Sequence, residues 1–495
     1  MASVNRPHSR LFENGGIKGG LLFALPPILV WGLFLAVFWP GLMSNDSISQ
    51  WEQVLSGHFV DWHPAFDTLF IWLVTRAWFT PAAVAVVQIL ALAGLVAWAL
   101  SRLAAMGVPR KWLFIADAVI TLSPANATLS ISIWKDVLYT VFLAALSLMV
   151  LEVVVSQGAW LAGRGRWVWL GLAAALTALF RQNGPLPALG GLGAVIFVAW
   201  RYPPPLACFG ERGKGVRITR LPLRNSLLAL VLAVGLWVGV HGPLFAEVGV
   251  QPSAIGYSVF VHQIAAHLAA GTPISSSDRA YLESLFPVKD WNYNCAYVDY
   301  TIWSTPPFNW APVLQSPWRL LSIYLELARR DPGVNLRHMA CESAFMWQIN
   351  YHGNILRSPL TVKANNLEPN WVRDNQDGLV QASLLPGLVA PLSNYVYGLD
   401  AGLAGRWFTR TIWSPAIAVY LMILLVIGLM IQRRSLLWGL PFVPAALHVL
   451  SILLNAGSSD YRYLYPAALM VMLAWPLLWA KRDEQAGTRG DEAVV

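Results

Sequence analysis

Four short stretches of this chain carry ionisable side chains at the ends of apolar runs. The first is Ser44-Asn45-Asp46-Ser47, continuing through Glu52 to Asp61-Trp62-His63-Pro64. The others are Trp134-Lys135-Asp136, Phe180-Arg181-Gln182-Asn183-Gly184 and Ser459-Asp460-Tyr461-Arg462-Tyr463. Asp46 has the makings of a general base, because a carboxylate in the first turn of a helix is favoured as an anion. It could equally be a second cap on a short helix opened by Ser44 or Asn45. Lys135, Arg181 and Arg462 are cations that could converge on a phosphate, whose oxygens match the guanidinium fork. Each also has a plainer use. Lys135 and Asp136 could be an orienting ion pair, and the arginines could snorkel to lipid headgroups. Asp61 and His63 are compatible with a Zn or Mn ligand pair, and equally with a polar loop before a helix that starts at Pro64. Asp136 and Asp460, each close in sequence to a cation, would support the site.

The elements that must position these residues are membrane helices. The chain has 495 residues, 56% hydrophobic and only 12% charged. A soluble domain carries about 25% charge, so an ordinary soluble enzyme, a disordered chain and a secreted disulfide scaffold are excluded. The 25 tryptophans fit a membrane–water interface. Apolar runs lie at about 20–43, 81–103, 108–123, 137–155, 167–181, 185–201, 226–246, 411–431, 436–455 and 462–480. A span needs ~20 residues, which predicts an all-α polytopic protein with about ten transmembrane helices. A further run, Phe66 to Phe79, is too short to cross. It is expected as a juxtamembrane helix with Phe66, Leu69, Phe70 and Leu73 on its apolar face.

The net charge of +8 does not point to nucleic acid, because the basic residues sit singly or in small groups at the ends of apolar runs. Arg6, Arg10 and Lys18 precede the first run, and Arg433 and Arg434 follow the eighth. Between them, alternate gaps are basic (Arg102, Arg110 and Lys111, for example) or nearly empty, with single Arg76, Lys135, Arg181 and Arg462. Short positive loops face the cytoplasm, so both termini are expected inside and the four ionic stretches outside. The organisation follows: a membrane region 1–246 with the outer loops, one outer segment 247–410, and C-terminal helices with a tail at 411–495. The outer segment, about 160 residues long, is large enough for its own core. Cys295 and Cys341 both fall in it and are disulfide candidates in an oxidising compartment, whereas Cys208 falls in an inner loop and should stay reduced. His241 and His448, in or beside spans, are expected as hydrogen-bonded packing residues. No Walker A loop, dinucleotide fingerprint, His-Glu-x-x-His or Gly-x-Ser-x-Gly occurs, so no nucleotide is expected.

The order of Asn45-Asp46, Asp61-Trp62-His63-Pro64, Trp134-Lys135-Asp136, Arg181-Gln182-Asn183-Gly184 and Asp460-Tyr461-Arg462-Tyr463, on one side of this layout, resembles the GT-C superfamily of integral membrane glycosyltransferases. The resemblance covers most of 20–205 and 411–480. It implies a polyprenyl-phosphate-linked sugar donor, a glycan, lipid or protein acceptor, and a multi-pass location in a bacterial inner or plasma membrane. It also implies that Asp46 is the base. That family often carries a second acidic residue beside this Asp. Here Asn45 and Ser47 flank it, so a divalent metal stays open as a cofactor. A transporter or flippase of a lipid-linked or anionic substrate is the competing class, and an outer-face ligase or acyltransferase a third. The transferase reading expects Asp46 and at least two of the three cations to line one outward-facing cavity.

Overall fold

The structure is a computed structural model, and it describes residues 17–202, 221–303, 307–351, 383–397 and 411–480. Among these the chain is helical, with only isolated β-bridges and no strands. Cys208 and the whole of 203–220 lie outside the described residues, as does much of 352–410. Ten helices run in order through the first half: α1 (Ile17–Val37), α2 (Asn45–Ser56), α3 (Ala65–Ala77), α4 (Pro81–Ala105), α5 (Arg110–Leu122), α6 (Pro124–Ser130), α7 (Lys135–Val155), α8 (Arg166–Leu179), α9 (Pro185–Arg201) and α10 (Leu221–Gly239). Later come Pro415–Arg433, Val443–Leu454 and Tyr465–Ala474.

Among the described residues, six helical segments are long and apolar enough to cross a membrane, or seven if the bent α5–α6 pair is one span. This is a multi-pass membrane protein. Each of the ten apolar runs contains a helix, but α8, α9 and the last helix are short. Lipid is the solvent that explains the surface. Only 11% of the apolar window in Leu221–Val248 is buried, and its open face presents Leu227, Val231, Val234 and Val238. By contrast 89% of the window in α7 is buried, so α7 is the central post against which α4, α8 and α9 pack.

At the α5–α6 break three backbone carbonyls are covered by side chains. Pro124 opens α6 after Ser123, and the two helices meet at a 57° bend. A proline there removes a donor and frees carbonyls upstream, which lipid cannot satisfy. Asn126 Nδ2 donates to the Ile120 carbonyl at 2.8 Å, Trp31 Nε1 to that of Thr121 at 3.1 Å, and Tyr395 Oη to that of Leu122. Beyond the break the chain extends through Ile131–Ile133. There Leu42 and Ser132 form a parallel bridge, with Leu42 N–H to Ile131 O and Ile133 N–H to Leu42 O both 2.9 Å.

The juxtamembrane helix α3 exists where the Phe66–Phe79 run was read, but its faces are not as expected. Its buried residues are Ala65, Asp67, Thr68, Ile71 and Thr75, and Leu73 is exposed. Phe66 and Phe70 are half-buried against Phe180, at ring-centroid distances of 5.0 and 5.7 Å. Apolar residues can face lipid at no cost, so the protein-facing side is the one with a polar partner to meet.

The described part of 247–410 has its own core, including Val261, Ile264, Leu282, Phe286, Leu320 and Ile323. Cys295 and Cys341 are joined in a disulfide with Cα atoms 5.9 Å apart.

Candidate functional site

The Leu42–Ser132 bridge sets the first two ionic stretches side by side. Ser44 caps α2, and the Ser47 hydroxyl accepts from the Ser44 N–H at 3.2 Å. Ser47 Oγ then donates to the Ile133 carbonyl at 2.6 Å, and Trp134 Nε1 donates to Ser44 Oγ at 2.7 Å. Asp46, in the first turn of α2, is thereby held next to Lys135, the first residue of α7. Their charged atoms are 3.7 Å apart.

Arg462 joins them from the other end of the chain. Its Nη1 is 2.8 Å from Asp46 Oδ2, and its Nε is 2.7 Å from Asp460 Oδ2 and 3.9 Å from Asp136 Oδ2. Asp460 caps the turn Tyr461–Leu464 by accepting the Arg462 N–H at 3.1 Å. The guanidinium lies 4.6 Å from the Trp134 ring centroid. Asp136 pairs with Arg181, which stacks over Tyr463 at 4.8 Å. Three carboxylates and three cations therefore meet in one cluster. Asp136 and Asp460 are its clamps, and Asp46 is its most open member, with 28% of its side chain exposed against 7% for Arg462.

Burial works to raise the Asp46 carboxyl, but Arg462, His63 and Lys135 outweigh it and hold it well below the usual carboxylate range. Burial, then Lys135, lowers His63 to about 4, so it is neutral at pH 7. Burial raises Asp460, with Arg462 opposing. The cluster is pre-organised and electrically balanced, which suits exchange of one anion for another more than capture by free cations.

Several expected placements are corrected. The six ionic residues are in direct contact through their ion pairs. A cavity of about 110 Å³ is lined by Asp61, Arg181, Gln182, Trp237 and His241 among others, but not by Asp46, Lys135 or Arg462. Asp61 has a structural partner in the loop. Its Oδ1 accepts the Ala65 N–H at 2.8 Å, which ties the loop to the start of α3. His63 instead belongs with the ionic cluster. His241 and His448 are both hydrogen-bonded packing residues, as expected: His241, exposed on the cavity, to the Trp237 carbonyl at 3.1 Å, and buried His448 to Tyr139 Oη at 2.9 Å and the Tyr463 carbonyl at 2.6 Å.

Two acidic residues were missed. Asp67 is buried under the site and accepts from Gln50 Nε2 at 2.8 Å. An acidic residue inside the apolar Phe66–Phe79 run was the available signal. Asp299, in the outer segment, feels the charges of Asp46 and Arg462; nothing in its local sequence marks it.

No protein-family model matches the chain, and neither a curated protein nor a solved structure is significantly similar to it.

Proposed function

We propose that the protein is a membrane glycosyltransferase of the GT-C type, which moves a sugar from a polyprenyl-phosphate donor to an acceptor at the outer face of the membrane. The observation that carries this is the contact of Asp46 with Lys135 and Arg462 at the helix ends. A departing lipid phosphate needs cations and no general acid. The incoming hydroxyl needs a base. This cluster holds both, one against the other. The donor phosphate replaces Asp46 as the partner of Lys135 and Arg462, and Arg181 adds charge from behind. Released from its cations, Asp46 takes the proton of the acceptor hydroxyl. The acceptor oxygen bonds to the anomeric carbon as the bond to the phosphate oxygen breaks, with inversion, and the lipid phosphate leaves with the electron pair.

In this reading the ten apolar runs are ten spans, the termini are cytoplasmic, and the membrane is a bacterial inner membrane. The outer segment receives the glycan, lipid or protein acceptor, where Trp62, Trp303 and Trp310 form an aromatic group suited to sugar faces. Transport fits less well, because the ionic residues gather at helix ends and a transport path carries polar groups to the midplane. The test is to incubate the purified protein with a panel of polyprenyl-phosphate sugars and follow sugar release by mass spectrometry. Release of free polyprenyl phosphate from one donor supports the reading. No turnover or binding with any donor, alongside uptake of a donor into proteoliposomes, would replace it with the transport reading.

A further inference from the structure

Outside the ionic cluster, one group of buried side chains has chemistry that the proposed transfer does not use. His262 lies on the helix Ser258–Ala269. His338 and Glu342 lie one turn apart on the helix Pro332–Glu342. They are 1%, 2% and 1% exposed. Their candidate ligand atoms all fall within 4.8 Å of one another. His262 Nδ1 is 3.4 Å from Glu342 Oε1, and His338 Nε2 is 3.5 Å from Glu342 Oε2.

The outer atoms of the group are fixed and the inner ones are not. His262 Nε2 donates to the Asn294 carbonyl at 2.8 Å. A carbonyl only accepts, so that nitrogen carries the proton and Nδ1 keeps its lone pair. His338 Nδ1 is held by Tyr293 Oη at 2.9 Å. Glu342 Oε1 accepts the Gly457 N–H at 2.9 Å. By contrast His262 Nδ1, His338 Nε2 and Glu342 Oε2 are buried and make no hydrogen bond. A bare imidazole lone pair facing a carboxylate in a dry interior is unfavourable unless a cation lies between them.

We propose that His262, His338 and Glu342 form a binding site for a divalent cation of the zinc class, which fastens the outer segment to the turn that carries Arg462. Two imidazoles and a carboxylate are a recurrent zinc donor set, with ligand distances of about 2.0–2.1 Å. Tetrahedral geometry at that distance puts ligand atoms about 3.3–3.4 Å apart; each imidazole nitrogen lies about that far from its own oxygen of the Glu342 carboxylate, and the three ligand atoms need draw in only from within 4.8 Å. Both imidazoles have an outer partner that orients the ring, as metal-bound histidines do. The enclosed setting fits a structural ion. Three consecutive residues frame it: Tyr293 and Asn294 hold the two rings, and Cys295 is bonded to Cys341 beside Glu342. From Glu342 the link runs through Gly457, whose carbonyl also accepts the Val298 N–H at 2.9 Å, towards Arg462.

Metal binding does not depend on the transferase reading; only an effect on turnover would. The test uses tag-free, full-length protein purified without chelator, and measures metal content by mass spectrometry. About one zinc per chain is expected, with none in His262→Ala. In the unmodified protein, chelator should lower the melting temperature by about 5 °C and micromolar ZnCl2 should restore it. This arm needs no variant to fold. Absence of metal together with no response to ZnCl2 would overturn the proposal and leave a hydrogen-bonded triad only. Equal zinc content in His262→Ala would overturn it as well.

Discussion

Replacing Asp136 by Asn disturbs the balance of the ionic cluster at its deepest point. Asp136 is 1% exposed and pairs with Arg181, itself 8% exposed, while its second oxygen lies 3.9 Å from Arg462. Asparagine keeps the shape and removes the charge. The three cations then face two carboxylates, and Arg181 is left buried without its counter-ion. Breaking a buried pair in this way costs about 3–5 kcal/mol, most of it from the charge left behind. At about 2–4 °C per kcal/mol, melting in detergent, followed by tryptophan fluorescence, should fall by roughly 6–20 °C. The excess positive charge also predicts a rescue. Millimolar inorganic phosphate should recover part of the loss in Asp136→Asn and stabilise the unmodified protein less, because there it must displace Asp46 from Lys135 and Arg462. A variant that melts within about 1 °C of the parent, or that phosphate does not affect, would refute both the ion pairing and the anion exchange built on it.

Other expectations follow from the same geometry. Burial, against the Gln50 hydrogen bond, pushes Asp67 up to about 6. A raised carboxyl contributes stability below its unfolded pKa of about 3.9 and loses it as pH rises through 6. Asp67→Asn should therefore melt higher than the parent above pH 6, by on the order of 2–3 kcal/mol, with the gap closing near pH 4 in a pH series of melts. Asp46 has the opposite sign: its depressed carboxyl stabilises above about pH 4 and is lost only on further acidification, so no acid limb of kcat/KM between pH 5 and 8 should arise from it. The Cys295–Cys341 disulfide spans a separation of 46 residues. Opening it with Cys295→Ser plus Cys341→Ser should cost about 4 kcal/mol of chain entropy, measurable as a lower melting temperature under non-reducing conditions.

The spans were legible because lipid demands long apolar runs and nothing else in the sequence produces them. The α5–α6 bend was only half legible. Pro124 announces a break, but the carbonyls it frees are covered by Trp31, Asn126 and Tyr395, and two of these three come from distant parts of the chain. Asp46, Lys135, Arg181 and Arg462 could be grouped beforehand because each ends an apolar run on the same predicted side. Their contacts could not, since the Leu42–Ser132 bridge that sets the register leaves no pattern in either segment. The 110 Å³ cavity beside Arg181 could not be placed for a related reason: sequence gives the charges but not the space between them. In the outer segment, His338-x-x-x-Glu342 puts two ligands on one helical face, a spacing readable in advance. His262, 76 positions before His338, becomes a partner only through packing.

Turnover and donor binding measured side by side in Asp46→Asn and Arg462→Ala test the central claim most directly. With a polyprenyl-phosphate sugar that the parent uses, Asp46→Asn should bind donor at least as well, because Arg462 and Lys135 lose their competing partner. Its transfer rate should fall by roughly 10²–10⁴-fold, the usual contribution of a positioned base. Arg462→Ala should weaken donor binding and slow transfer together. Undiminished transfer in Asp46→Asn would contradict the assignment of the base, and donor binding unaffected in Arg462→Ala would contradict the phosphate site.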